Sequence, residues 1–238
     1  MAVKRTLVIT PAYNEQGSLP LLAKKIQKLP QNIDWLVIND SSTDKTASIL
    51  REIGIMHVDL PMNLGIGGAM QAGYQYARKY GYDYAIQVDG DGQHDPNEIL
   101  KLIAEIEKGK ADLVIGSRFV SKTKYRQTIM RRLGIGIFAL VTKILIGQSI
   151  KDATSGFRIV NKKVIALFAD NYPSDYPEPE VLVSLTKRNL KILEIPVEMN
   201  ERETGKSSIT SLRSVYYMIK VFFAMLVDKI RKVEDASN

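Results

Sequence analysis

Short apolar runs alternate with helix-like segments through the first half of the chain, and this alternation constrains the fold more than any other feature. The runs are Thr6–Thr10, Trp35–Ile38, Met56–Leu60, Tyr84–Val88 and Leu113–Gly116. Continuous apolar strands joined by helices are typical of a parallel sheet covered by helices on both faces. We therefore predict an α/β fold with a mostly parallel sheet flanked by helices.

Polar clusters follow each of these predicted strands. They are Pro11–Glu15, Asn39–Asp44, Asn63–Gly68, Asp89–Asp95 and Ser117–Arg118. Turn chemistry or helix capping explains any one cluster, but a shared site explains the set better. Ligands of parallel sheets bind at the carboxyl ends of the strands. The sequence therefore predicts a functional site at this edge.

The carboxylates after the fourth strand indicate the chemistry of that site. Asp89 and Asp91 would repel each other in a poorly solvated site unless a cation or protons compensate. Mg²⁺ or Mn²⁺ fits, because these hard ions favour carboxylate and phosphate oxygens and neutralise charge on a departing diphosphate. We predict Asp89, Asp91 and Gln93 as metal ligands, and favour a loop or packing role over metal ligation for His94.

Two other readings of these glycines and carboxylates fit less well. A calcium-binding EF-hand loop starting at Asp89 needs glycine and glutamate where the chain has His94 and Leu100. A dinucleotide fingerprint starting at Gly65 has Met70 in place of its third glycine. The calcium motif is excluded, and the dinucleotide motif is weak.

The charge of the chain suggests an anionic partner. The net charge is +7, and there is no cysteine, which excludes disulfides and thiolate chemistry. Nucleic acid, anionic lipid and a phosphorylated substrate all fit that charge, and so does a simple excess of solvated lysines. No aromatic–basic recognition motif is present, so we expect no nucleic-acid partner.

The second half of the chain loses the alternation. The apolar segment 133–150 follows Arg131 and Arg132 and fits either a buried helix or a helix in the membrane interface. Residues 212–230 carry a wide apolar stripe at helical spacing. We predict one domain over 1–210 and an amphipathic helix over 211–238 that docks onto a membrane surface, a small membrane protein or a second copy of the chain.

Five motifs together resemble a known enzyme family. They are Pro11–Glu15, Asn39–Asp44, Asn63–Gly68, Asp89–Pro96 and Ser155–Arg158. Their order and spacing are similar to those of family 2 inverting glycosyltransferases of GT-A fold, in particular the dolichol- and polyprenyl-phosphate sugar synthase branch. The likeness covers roughly residues 4–210.

The resemblance implies a site for a nucleotide-sugar donor. Glu15 is expected to accept from ribose hydroxyls and Asp40 from the base, while Asp89 contacts ribose or metal and Asp91 ligates the metal. The glycines allow a close backbone approach to the ligand or a tight turn. The implied donor-binding residues are Pro11, Tyr13, Glu15, Asp40, Gly65, Gly68, Asp89, Asp91, Arg202 and Lys206.

The acceptor decides which further residues matter. A sugar hydroxyl needs a general base, whereas a phosphate monoester is already an anion and needs positioning. The family's Gln-x-x-Arg-Trp motif, found in hydroxyl-directed members, is absent, and the single tryptophan is Trp35. We predict lipid-phosphate binding by Arg118, Arg131, Arg132 and Ser207, catalytic roles for Asp91, Asp152 and Arg158, and Glu178 or Glu180 as fallback bases.

These expectations combine into one predicted function. The resemblance implies metal-dependent transfer of a sugar from a nucleotide diphosphate, UDP favoured over GDP, to polyprenyl phosphate. The protein would be cytoplasmic and peripherally bound to the cytosolic face of the membrane. Transfer to a glycan hydroxyl, as in cell-wall or surface polysaccharide assembly, is the first alternative. A non-enzymatic nucleotide-sugar or basic nucleic-acid binder is the second.

Overall fold

The structure, a computed structural model, describes residues 3–90, 92, 94, 95, 97–120, 129–174, 177–198, 220, 223, 225–227 and 229. For 129–135, 137 and 138 it describes the backbone alone, so the side chains of Arg131 and Arg132 are not included. Five other residues predicted for the site lie outside the described part of the chain: Asp91, Gln93, Arg202, Lys206 and Ser207.

Strands and helices alternate through the first half, as the sequence predicts. The strands are β1 (Thr6–Ala12), β2 (Ile33–Asn39), β3 (His57–Asp59), β4 (Tyr84–Gln87), β5 (Leu113–Ser117), β6 (Arg158–Asn161) and β7 (Ile192–Pro196). The helices are α1 (Leu19–Ile26), α2 (Thr46–Glu52), α3 (Gly65–Lys79), α4 (Asn97–Ile106), α5 (Ile129–Ile146), α6 (Lys162–Asp170) and α7 (Pro177–Lys187).

The described strands form one sheet in the order β3-β2-β1-β4-β6-β5-β7. Every pairing is parallel except those of β6, which runs antiparallel to both β4 and β5. The mostly parallel sheet is therefore confirmed, and β6 is a strand that the sequence did not predict. An antiparallel strand begins where its parallel neighbours end, so the residues just before β6 reach the carboxyl edge of the sheet.

Side chains of β1 alternate between two cores, one on each face of the sheet. Leu7 and Ile9 belong to a buried cluster with Met70 of α3. Val8 points to the other face and packs in a cluster with Leu102 of α4. Burial on both faces explains why the central strands are apolar without alternation, and it makes the sheet a rigid base for the loops at its edge.

Helix α5 has one buried and one exposed face. Leu145 and Ile146 are buried, whereas Leu140 and Ile144 are 59% and 65% exposed. The buried face agrees with a helix that packs on the core, while the interface interpretation of the segment 133–150 stays a prediction. Within the described residues, no helix is both long and apolar enough to span a bilayer.

The C-terminal segment is described only at a few positions. Those positions are helical, with Met225 buried and Phe223 and Val227 exposed. This pattern agrees with an amphipathic helix over the part that is described. The Nζ of Lys229 donates to the carbonyl of Ile144 at 3.1 Å, which places this helix beside α5.

Candidate functional site

The loops that follow β1 and β2 are joined by hydrogen bonds. The side-chain oxygen of Asn14 accepts from the main-chain N–H of Thr43 at 2.9 Å and of Asp44 at 3.3 Å. The N–H of Asn14 donates to the hydroxyl of Ser42 at 3.0 Å. Two of the polar clusters therefore form one structural unit at the edge of the sheet.

The loop after β1 also contacts the loop after β4. A Cβ added to Gly90 would lie 3.3 Å from Cγ of Glu15 and 3.4 Å from the carbonyl oxygen of Pro11, so the two loops are in close contact. Glu15 Oε2 accepts from the hydroxyl of Ser18 at 2.5 Å, which fixes the carboxylate, and Tyr13 is 49% exposed. The residues predicted for the nucleoside are thus brought close to the loop that carries Asp89.

Asp40 caps helix α3, a role that the sequence did not predict. Its carboxylate is 4% exposed and accepts from the main-chain N–H of Leu64 at 2.7 Å and of Gly65 at 2.9 Å. These contacts satisfy N–H groups near the first turn of a helix, where negative charge is favoured. Since both oxygens already accept from the protein, a contact with a base would have to use the remaining lone pairs.

The glycines of the third cluster serve the fold. Gly65 has φ of 73°, a left-handed conformation that glycine adopts without strain and other residues rarely do. A Cβ at Gly68 would lie 2.4 Å from Cβ of Leu64, so a side chain would not fit. The tight-turn reading therefore explains Gly65, and close packing explains Gly68.

Asp89 lies directly beyond the end of β4 with its side chain 34% exposed. Its N–H donates to Nδ1 of His94 at 3.0 Å. The His94 ring is buried and stacks on Phe157 with ring centroids 4.8 Å apart. The packing role that we favoured for His94 agrees with this geometry, since the ring holds the loop that presents Asp89.

A divalent ion fits the chemistry of Asp89, although most of its predicted ligands lie outside the described residues. Carboxylate oxygens are ligands that Mg²⁺ and Mn²⁺ prefer, and the partial exposure of Asp89 leaves it accessible. No cluster of three His, Cys, Asp or Glu suited to a metal occurs among the residues that the structure describes. Such an ion would therefore depend on Asp91, Gln93 and ligand oxygens in addition to Asp89.

Arg118 and Asp152 form a bidentate ion pair. Nε and Nη2 of Arg118 donate to the two carboxylate oxygens at 2.9 and 2.8 Å, and the main-chain N–H of Arg118 donates to one of them at 3.1 Å. Asp152 is 1% exposed, whereas the Arg118 side chain is 26% exposed. Asp152, for which we predicted a catalytic role, thus orients the Arg118 guanidinium.

Arg158 does not occupy the catalytic position that we expected for it. Its side chain is fully buried, and the guanidinium donates to the main-chain carbonyls of Ser155 and Glu178, the latter at 2.9 Å. The guanidinium is thus engaged by the protein backbone. Arg158 instead ties the first turn of α7 to the chain segment before β6.

Glu178 lies near Asp89, at the start of α7. Burial raises the pKa of the Glu178 carboxyl above its ordinary value, and the negative charge of Asp89 adds to the rise. The Arg158 guanidinium and the Gln87 amide act in the opposite direction and limit the rise in pKa. Glu178, one of the two fallback bases, thus lies close enough to Asp89 for the charge of Asp89 to raise the pKa of its carboxyl.

Sequence reasoning missed two residues beside Asp89. Gln87, the last residue of β4, is fully buried, and its Nε2 donates to Asp89 Oδ1 at 3.1 Å. A Cβ added to Gly156 would lie 2.7 Å from that nitrogen and 2.9 Å from Asp89 Oδ1. The available signal was a glutamine at the end of an apolar strand. No local pattern could have placed Gly156 there, because its position depends on β6.

The match to known sequences decides the family. The sequence profile described as "Glycosyl transferase family 2" matches residues 7–168, which is more than half of the chain. This chain is a family 2 glycosyltransferase.

Relatives of this glycosyltransferase match it over nearly its whole length. The polyprenol monophosphomannose synthase of Mycolicibacterium smegmatis is 31% identical, over 92% of this chain and 86% of that protein. The UDP-N-acetylglucosamine–dolichyl-phosphate N-acetylglucosaminyltransferase of Methanococcus voltae is 27% identical, over 99% of this chain and all of that protein.

A solved structure confirms the GT-A fold of the glycosyltransferase. The glucosyl-3-phosphoglycerate synthase of Mycobacterium tuberculosis, crystallised with Mn²⁺, UDP-glucose and phosphoglyceric acid, superposes with a TM-score of 0.72. The match covers 97% of this chain and 81% of the other, at 18% identity. At that identity the likeness establishes the fold alone.

The raised pKa of Glu178 predicts that its carboxylate destabilises the folded glycosyltransferase at neutral pH. A carboxyl whose pKa is raised in the folded state does not lower the stability of the fold at low pH, where it is protonated in both states. The loss of stability begins as the pH rises past the pKa of the same group in the unfolded chain. We expect Glu178→Gln to raise the free energy of unfolding relative to the wild type by more at pH 7 than at pH 4. Urea denaturation at the two pH values measures this difference.

The control for that experiment is Glu52→Gln, which removes one negative charge at an exposed position in the last turn of α2. A difference between wild type and Glu178→Gln that is equal at both pH values, or larger at pH 4, would contradict the assigned burial of the carboxylate.

Proposed function

We propose that this family 2 glycosyltransferase moves a sugar from a nucleotide diphosphate donor to polyprenyl phosphate, with Mg²⁺ or Mn²⁺ as cofactor. The observation that carries the proposal is the meeting of three loops at one edge of the sheet, with the partly exposed Asp89 among them. The loops come from β1, β2 and β4, where parallel sheets bind ligands. The catalytic domain would span 1–210.

UDP is the nucleotide that we favour in the donor. The M. voltae relative is named for a UDP-sugar, and the M. tuberculosis enzyme of the same fold was crystallised with UDP-glucose. The exposed ring of Tyr13 offers a surface on which a base can stack, while the fixed carboxylate of Glu15 can accept from ribose hydroxyls. Arg202 and Lys206 stay predicted diphosphate ligands.

A divalent cation would be held by Asp89 and Asp91, with Gln93 beside them. Bound there, it would neutralise charge on the departing nucleoside diphosphate. The protein's own contribution is to present Asp89 in a fixed orientation, since its N–H and one carboxylate oxygen are held by His94 and Gln87. Pre-set geometry of this kind avoids reorganisation during the reaction.

Polyprenyl phosphate is the acceptor that we favour, because both relatives are named for a polyprenol or dolichyl phosphate. Such an anion needs no general base. Arg118 is half of an ion pair whose charge Asp152 already balances, so it would direct an acceptor phosphate by oriented hydrogen bonds more than by net charge. Arg131, Arg132 and Ser207 stay predicted partners of the same phosphate.

A glycan hydroxyl is the second candidate acceptor, and Glu178 is the observation that favours it. A hydroxyl nucleophile needs a base, and a carboxyl with a raised pKa near Asp89 has the chemistry for that role. A lipid-linked product enters the organic phase, whereas a glycan product stays in the aqueous phase. Solvent extraction of the labelled product therefore distinguishes the two acceptors.

A membrane-facing patch would bring the enzyme to a lipid acceptor. We define this apolar patch as Leu140 and Ile144 of α5 with Phe223 and Val227 of the C-terminal helix, all of them more than half exposed. The exposed residues Lys143, Lys220 and Lys229 lie on the same two helices. Apolar side chains flanked by lysines are typical of a helix pair lying on an anionic bilayer surface, here the cytosolic face of the membrane. A small membrane protein or a second copy of the chain is the alternative occupant.

The acceptor is tested by solvent extraction. We expect full-length enzyme, incubated with labelled UDP-sugars, Mn²⁺ and undecaprenyl phosphate, to move label into the organic phase. Asp91→Ala should lower that transfer roughly 100-fold or more, since the metal contributes several kcal/mol of charge stabilisation. Asp170→Ala, which removes a surface carboxylate paired with Arg78, is the control and should keep full activity. Label that enters only water-soluble glycan would overturn the lipid acceptor.

The apolar patch is tested by co-sedimentation with vesicles of phosphatidylglycerol and phosphatidylcholine. Ile144→Asp and Val227→Asp should each weaken vesicle binding roughly tenfold, because each change removes an apolar side chain that would enter the bilayer and adds a negative charge. Val3→Asp makes a similar change at a residue that is 75% exposed outside the patch, and should bind as the wild type does. Wild-type protein that stays in the supernatant would exclude direct lipid binding by the patch.

A further inference from the structure

Gln87 is a buried polar residue in an otherwise apolar strand. Its side chain is fully buried, one amide N–H donates to Asp89 Oδ1 at 3.1 Å, and Oε1 has no hydrogen-bond partner within the described part of the chain. Buried polar groups cost stability unless they are satisfied. An apolar residue at this position would pack in the core without burying polar atoms. The presence of an amide is therefore explained by its hydrogen bond to Asp89.

Gly156 closes the space on one side of this contact. A Cβ at that position would lie 2.7 Å from Nε2 of Gln87 and 2.9 and 3.0 Å from the two oxygens of Asp89. The amide and the carboxylate therefore pack against the backbone of Gly156. Any side chain larger than that of glycine at position 156 would collide with both groups.

The second oxygen of Asp89 has a neighbour as well. Since Nδ1 of His94 accepts from the N–H of Asp89, the proton of the neutral ring is on Nε2. That nitrogen lies 3.7 Å from Asp89 Oδ2. The two oxygens thus face different groups, Gln87 on one side and His94 on the other, and this arrangement defines the plane of the carboxylate.

The Gln87 amide also interacts with Glu178. Its carboxylate faces the same amide and the charge of Asp89. Without a donor between them, two carboxylates would meet across a poorly solvated space and repel each other. An amide N–H donor near both groups reduces this repulsion, which is a further reason for a glutamine at this position.

We propose that Gln87 is a positioning residue, which orients the Asp89 carboxylate so that it can hold a divalent cation against a nucleoside diphosphate. This inference rests on the proposed function, because it presumes a metal at Asp89. Gln87 does not touch the ligand itself. Its effect is transmitted through one hydrogen bond to Asp89 and through the packing of both groups on Gly156.

Calorimetry of full-length protein tests this role with UDP as the probe, measured with and without Mn²⁺. The quantity of interest is the ratio of the two affinities, since a merely structural residue would change both alike. We expect Gln87→Met, which keeps the length of the side chain but removes the donor, to lower this ratio about tenfold, as loss of an outer hydrogen-bond partner of a metal ligand typically does. Affinity for UDP without Mn²⁺ should stay within about twofold of the wild type, because Gln87 does not touch the ligand.

Gln75→Met is the matched control. Gln75 is an exposed residue of α3 whose Nε2 donates to the carbonyl of Ala169 at 3.2 Å, so the same change removes a comparable hydrogen bond. The ratio should equal that of the wild type. If Gln87→Met does not fold, Gln87→Leu also removes the donor while keeping an apolar side chain of similar volume, and should lower the ratio in the same way.

The two proposals fail in different ways. A wild-type protein that binds UDP equally with and without Mn²⁺ would overturn the metal-dependent function. If the wild-type protein shows the Mn²⁺ effect and Gln87→Met or Gln87→Leu retains it in full, the role of Gln87 alone is overturned.

Discussion

The site depends on how a single carboxylate is held where β4 ends. The N–H of Asp89 donates to His94, and one carboxylate oxygen accepts from Gln87. The backbone of Gly156 packs against both carboxylate oxygens. An acidic side chain that is only partly exposed and lies near a second carboxylate is unfavourable by itself. A cation bound between protein and donor would relieve that repulsion, and this is the physical basis of the metal dependence that we propose.

The antiparallel strand β6 explains why the holding residues come from a distant part of the sequence. Gln87 of β4 pairs in register with Arg158 of β6. The chain entering β6 therefore passes the end of β4, and Gly156 meets Asp89. The Arg158 guanidinium donates to the main-chain carbonyl of Glu178, and this contact holds the start of α7 near Asp89. The buried arginine thus serves the site through the backbone, without contact with a ligand.

Much of the fold could be predicted from sequence because its signals are local. Apolar runs identified the parallel strands, and the polar clusters after them identified the edge of the sheet where the loops from β1, β2 and β4 meet. Strand β6 lacked such a signal, because it has only four residues and its first, Arg158, belongs to the Ser155–Arg158 motif, for which we predicted no strand. Gln87 and Gly156 were missed for the same reason, since their importance arises only when β6 lies beside β4.

Residue roles were harder to predict than residue locations. Asp40, Asp152 and Arg158 all lie near the predicted edge, but each is engaged by the protein: Asp40 by the N-terminus of α3, Asp152 by Arg118, and Arg158 by main-chain carbonyls. A sequence shows that a charged residue is present at such an edge. Only the packing of neighbouring elements shows whether that charge faces a ligand or another part of the protein.

The claim that Asp89 holds a divalent ion against the donor is tested most directly by anomalous diffraction from crystals grown with MnCl₂ and UDP. We predict a manganese peak about 2 Å from a carboxylate oxygen of Asp89 and at a similar distance from a diphosphate oxygen. UDP bound at this edge of the sheet with no manganese at Asp89 would contradict the account.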